Sequence, residues 1–148
     1  MTDRARRARV ALIGGDAQRL RQLRLFLDGL GVFEAIAIVS GAAGVTAIGR
    51  QQWDAALLVD DLHDMPVEVV VGRARAARYR GPFVGVTLTA DRTRIVALHA
   101  AEMQEIVVMN AAPGPEIARA LARAIERHEL VSRITDLEQE LAPEQCPR

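Results

Sequence analysis

The sequence predicts an α/β domain in which helices cover both faces of a five-stranded parallel sheet. Three observations predict it. Short apolar runs alternate with segments of helical periodicity along the 148 residues. The apolar runs are continuous rather than alternating, as strands buried on both faces require. The connections between them are short, and right-handed crossovers then wind the chain to both sides of the sheet.

Each element has a local cause. Residues 9–13 (RVALI) form an apolar run closed by Gly14-Gly15, hence a first strand. Asp16 caps a helix whose apolar positions Leu20, Leu23, Phe26, Leu27 and Leu30 keep helical spacing up to Gly31. Residues 32–39 (VFEAIAIV) make a second strand, and Ser40 caps a helix over 41–52 with Val45, Ile48 and Gly49 facing inward. Residues 55–59 (AALLV) make the third strand, followed by the acidic turn DDLHDMP. Pro66 suits the first turn of a helix over 67–79. That helix carries Arg73, Arg75, Arg78 and Arg80 on a solvated side, and Gly81-Pro82 ends it. A fourth strand over 83–88 (FVGVTL) precedes a helix that starts at Asp91 and runs through Ile95, Leu98 and Ala101. Residues 105–109 (EIVVM) are the fifth strand, and Pro113-Gly114-Pro115 leads into a long last helix.

Composition removes several functions. The chain has 19 basic and 19 acidic residues, and every basic one is arginine; there is no lysine. Half-apolar content with balanced charge excludes a disordered chain, and neutrality makes nucleic acid an unexpected partner. Arg4, Arg6, Arg7 and Arg9 form a small basic arm, read as a solubilising terminus. The lone Cys146 allows neither a disulfide framework nor a cysteine metal cluster. No apolar run is long enough to cross a bilayer and no secretory segment follows the arginines, so cytoplasmic residence is expected. His63, His99 and His128 lack metal-ligand spacing, and neither Ser40 nor Ser132 sits in a nucleophile elbow. Trp53 reads as a packing residue that anchors the second helix. No cofactor, metal or enzymatic activity is expected.

In doubly wound folds, function sits at the carboxyl ends of the strands, here the loops after Ile13, Val59, Leu88 and Met109. The stretches VALIGGD, DAALLVDDLHDM, PFVGVTLTA and EIVVMN occupy those ends. In order and spacing they resemble the receiver domains of bacterial response regulators, over roughly residues 8–128. The resemblance implies a flavodoxin-like (βα)5 sheet of order 2-1-3-4-5. It also implies a phosphoacceptor aspartate ending strand three, an acidic pair after strand one that holds a divalent cation, a lysine ending strand five, and a Thr or Ser after strand four. The cation and lysine balance the charge that develops on the transferred phosphoryl oxygens.

The sequence departs from that pattern at most of these positions. Gly14 and Gly15 stand where the acidic pair belongs, Val59 at the phosphoacceptor position, and Met109-Asn110 where the family has lysine-proline. Only Thr87, or Thr89, remains as the hydroxyl. The resemblance therefore implies a degenerate pseudo-receiver that signals through protein contacts without phosphorylation. Met109 is expected to fill the lysine's volume and hold one state. Two alternatives stand beside it. Asp60, one position past Val59, could act as an unorthodox acceptor if a bulge turned it inward, with Asp61 and Asp64 adding negative charge. No arginine falls near the end of strand five to assist it. Alternatively, the Gly14-Gly15 turn could cradle a nucleotide or other small molecule, although IGGDAQ lacks both the third dinucleotide-binding glycine and the P-loop lysine.

The last helix is longer than one domain needs. It is expected to run from Ile117 to about Leu141, where Pro143 stops it. Beyond His128 the apolar positions Leu130, Ile134, Leu137 and Leu141 are spaced four, three and four, a short coiled-coil seam. The chain thus divides into a receiver-like body, 1–128, and a helical extension with its tail, 129–148. A homodimer is the expected assembly, with help from the domain surface because two heptads are short. No output domain follows residue 148, so the chain is expected either to belong to a larger protein or to act through contacts alone.

Overall fold

A computed structural model describes residues 6–145; Arg4 of the basic arm and Cys146 lie outside them. The chain alternates strand and helix throughout: β1 (Ala8–Gly14), α1 (Ala17–Gly29), β2 (Phe33–Val39), α2 (Gly41–Arg50), β3 (Ala55–Val59), α3 (Val67–Ala76), β4 (Phe83–Thr87), α4 (Arg92–Ala100), β5 (Glu105–Val108) and α5 (Gly114–Gln145). The strands form one parallel sheet in the order β2-β1-β3-β4-β5, as predicted.

Side chains alternate across the sheet and build two apolar layers. Val10, Leu12, Leu57, Val59, Val84 and Val86 pack with Leu20, Leu23 and Leu27 of α1 and with Ile117 and Leu121 of α5. On the other face Ala11, Ile13, Ala56, Leu58 and Phe83 pack with Ile48, Val67, Val70, Val71 and Leu98 of α2, α3 and α4. The central strand β3 is buried along its whole length, whereas β2, at an edge, alternates. Burial on both faces explains why the central runs read as unbroken hydrophobic segments.

Several expectations about the helices are corrected. Phe26 and Leu30 are exposed rather than core; Phe26 lies against Gly114, where a Cβ would come within 2.8 Å of its ring. In α2 the buried glycines are Gly41 and Gly44, the latter pressed on Ile13, while Gly49 is exposed, and the helix ends at Arg50. Helix α3 closes at Ala76 instead of Tyr79. Arg78 takes a left-handed φ of 73°, the Arg78 amide donates to Arg75 O at 2.9 Å and the Tyr79 amide to Ala74 O at 3.0 Å. This is a Schellman closure with arginine at the position glycine usually fills. Arg75 is not solvated: its guanidinium donates to Tyr79 O and Gly81 O, pairs with Glu102 and lies 4.8 Å over the Phe83 ring. Trp53 does anchor α2, donating Nε1–H to Ala47 O at 3.0 Å.

Helix α5 continues through Pro143 to Gln145. Proline removes one helical amide donor, but its fixed φ is helical, so it did not end the helix where expected. From Glu129 to Leu141 every residue of α5 is exposed. Among the described residues no helix is long and apolar enough to cross a membrane.

Candidate functional site

The carboxyl ends of the central strands bring the sequence-predicted pocket positions together. Ile13 pairs with Leu58, Val59 with Val86, and Thr87 with Val108, so Gly14, Val59, Thr87 and Met109 succeed one another across the sheet end. The Met109 amide donates to Thr87 O, and the Asp60 amide to Val86 O, each at 2.8 Å. Val59 is fully buried, and Met109 is half-buried against the α1/α5 layer. Thr87 is 1% exposed, and its Oγ1 has no hydrogen-bond partner among the described residues.

Both glycines lie against close neighbours, and at Gly15 there is no room for a side chain. A Cβ on Gly14 would lie 3.1 Å from Leu20 Cδ2 and 3.2 Å from Val59 Cβ. One on Gly15 would lie 2.3 Å from the backbone oxygen of Asp61 and 3.0 Å from the His63 ring. The β3–α3 loop therefore closes over the place where an acidic pair would project. The loop is fastened there: Asp61 Oδ1 accepts the Gly15 amide at 2.7 Å, and its other oxygen accepts from Arg19 of α1.

Asp60 is held from the opposite side. Arg94, in the first turn of α4, donates Nε–H and Nη2–H to its two carboxylate oxygens at 2.8 Å each. The same guanidinium reaches Glu68 of α3, with Nη2 2.9 Å from Oε1 and Nη1 on Oε2. Hydrogen bonds to Asp60, and then to Glu68, push the Arg94 guanidinium above its ordinary range. Arg94 in turn holds the Glu68 carboxyl below its usual value, against a smaller opposing effect of burial.

Asp64 has a third role. Its oxygens accept the amides of Gly41 and Ala42 at 2.9 Å each, which seats a carboxylate on the N-terminus of α2. Those amides, Gly41 first, lower its pKa. The three carboxylates of the acidic turn thus point to three different partners, and among the described residues no group of three metal-ligating side chains could hold an ion. Two arginines assist them, although neither comes from the end of strand five. Sequence reasoning missed Arg19, Glu68 and Arg94, because each meets its partner across 26 to 42 residues of chain.

Beside the site, α1 and the β5–α5 loop border an open groove of about 650 Å³, with Leu23, Phe26, Met109 and Pro113 in its wall and Asp16 and Arg19 at its polar side. At the far end of α5, Leu130, Ile134, Leu137 and Leu141 are each 52–55% exposed.

No protein-family model matches the sequence, and no curated protein matches it. Solved structures do. The receiver domain of a sensor histidine kinase from Pseudomonas aeruginosa PAO1, described with a magnesium ion coordinated in its active-site cleft, superposes with a TM-score of 0.72 at 21% identity, covering 82% of this chain and 99% of that one. A CheY-like response regulator receiver domain protein from Methanospirillum hungatei JF-1 gives 0.75 at 18% identity, covering 84% and 98%. An adenylate cyclase from Rhodopirellula baltica gives 0.76 at 18% identity, covering 90% and 98%. The chain therefore has the receiver-domain fold. Its own residues do not fit a cation at the corresponding strand ends, where glycines and a valine offer no ligand and Asp61 is engaged by Gly15 and Arg19.

Proposed function

We propose that this chain is a receiver-type signalling domain that works without phosphorylation, through protein–protein contact and as a homodimer in the cytoplasm. One observation carries the reading. The phosphoacceptor position is the buried Val59, and the nearest carboxylate, Asp60, has both oxygens on Arg94. An attacking carboxylate needs an exposed lone pair and a cation to take up the charge of the incoming phosphoryl group. Asp60 has neither. The nucleotide reading of the Gly14-Gly15 turn is weakened in the same way, since the Gly15 amide that would face a phosphate already donates to Asp61.

Partner contact follows from what remains exposed. The groove beside Met109 offers apolar walls with a charged side, and the helical extension offers the Leu130, Ile134, Leu137 and Leu141 stripe. A second copy laid in parallel would bury that stripe against itself at coiled-coil spacing. On this reading residues 1–128 form the body and 129–148 the pairing extension.

Incubation with Mg²⁺ and acetyl phosphate, followed by intact-mass measurement, tests the first part. The mass is expected to stay unchanged; an added phosphoryl group that disappears in Asp60→Asn would instead establish Asp60 as an acceptor. Light scattering tests the second part. The chain is expected to run as a dimer and the Ile134→Asp, Leu137→Asp double variant as a monomer, and a monomeric mass for both would remove the dimer.

A further inference from the structure

The opposite end of the sheet carries an unassigned cationic groove. The amino ends of β1 and β3, the end of α2 and the α3–β4 turn enclose about 500 Å³ of open space. Arg6, Arg9, Arg78 and Arg80 line it, with His128 of α5 and one carboxylate, Asp54. In a chain of zero net charge, four guanidinium groups line this groove; Arg6 pairs with Asp54 and Arg9 with Glu34, which leaves Arg78 and Arg80 as the local excess of positive charge. Asp54 is also already engaged, accepting the Arg9 amide at 2.7 Å and pairing with Arg6 at 3.4 Å.

The arginines are differently held. Arg9 lies 4.8 Å over the Trp53 ring and donates Nη2–H to Gln51, and its Nε has no hydrogen-bond partner among the described residues; Glu34 stands 3.7 Å away. Arg78 and Arg80 are exposed, and neither pairs with a carboxylate among the described residues. Arg78 moreover keeps a left-handed backbone, which costs a non-glycine residue on the order of 1 kcal/mol.

We propose that this groove binds a small polyphosphate. Guanidinium groups lining one groove repel one another until a compact multivalent anion joins them, and their forked donors match phosphate oxygens. The volume is that of a small-molecule site. Single-stranded nucleic acid fits less well, because it needs aromatic faces for base stacking. Trp53 and Tyr79 are buried, and their polar atoms already donate to Ala47 O and Pro82 O. The site stands on residues remote from Val59 and Asp60, so it does not depend on the reading of the strand-end pocket. His128 lies where burial of α5 ends, so an occupant would touch the helix at the start of its exposed extension.

Calorimetric titration of the full chain with tripolyphosphate and with ATP at low salt tests this. Saturable binding is expected for both, weakened at least about tenfold in the Arg78→Gln, Arg80→Gln double variant and unchanged in Arg119→Gln, an exposed arginine outside the groove. Absence of saturable binding, or equal weakening in Arg119→Gln, overturns the proposal, as does tighter binding of duplex DNA than of ATP. Arg78→Gly separates charge from folding: it should raise the melting temperature by roughly 2–6 °C while lowering affinity. Unaltered affinity in a folded Arg78→Gly would count against the site.

Discussion

Arg94 grips Asp60 by both carboxylate oxygens, Nε on one and Nη2 on the other, at 2.8 Å each. Because the same guanidinium also holds Glu68, it ties the first turn of α4 to the loop after β3 and to the first turn of α3. A neutral valine and an internal ion cluster occupy the carboxyl end of β3. Four consequences can be measured.

Arg94→Ala leaves two partly buried carboxylates facing each other without their shared cation. A loss of about 1–3 kcal/mol in urea unfolding is expected, in the range for charge-assisted hydrogen bonds. Replacing Asp60 by Asn in the same chain should recover part of it, because the repulsion is then relieved. A change below the error of the fit would mean that solvent screens the cluster.

Acid should loosen the same region. The Glu68 carboxyl is held below its ordinary 4.5 by Arg94, and that of Asp64 below 3.8 by the amides of Gly41 and then Ala42. A depressed folded pKa contributes stability that is full above the unfolded value and lost as pH falls through the folded one. Stability should therefore decline as pH drops below about 4.5, and Glu68→Gln should flatten the decline. Urea midpoints measured across that range check it; identical profiles for the two chains would refute the assignment to Glu68.

Thr87→Val should stabilise the chain by about 1 kcal/mol. Its hydroxyl is buried without a partner among the described residues, and an apolar group of the same shape removes that penalty. Thermal unfolding gives the sign directly. A destabilised Thr87→Val would show that the hydroxyl has an ordered partner.

Gly15→Ala should destabilise by about 1–3 kcal/mol, since the new methyl meets the Asp61 backbone oxygen and the loop must move. Gly49→Ala, with only an ordinary contact to Ala77, is the control and should be neutral or slightly stabilising. Equal behaviour of the two variants would remove the steric argument at Gly15.

Much of the fold could be read from local signals. Apolar runs located all five strands to within a residue or two, and in β3 and β4 burial on both faces leaves no polar alternation. Asp16 and Ser40 are legible as caps, because a cap acts on amides two or three residues ahead; Asp91, read as the first residue of its helix, is instead the cap of α4. Element ends were read less well. The closure of α3 at Ala76 depends on Arg78 adopting a left-handed φ that no residue type at that position announces.

What the sequence by itself determined was the doubly wound sheet, because each strand carries its apolar run in its own segment; the row Gly14, Val59, Thr87, Met109 at the strands' carboxyl ends came from the resemblance to receiver domains. What only the tertiary structure decided was the fate of the charges. Asp60 looked available until Arg94, shared with Glu68, met it, and Asp61 was engaged by Arg19 and the Gly15 amide. Arg75 looked solvated until the Phe83 ring and two carbonyls enclosed it. Apolar burial is a property each segment carries in its own pattern. An ion pair is a property of two side chains that only folding brings within reach.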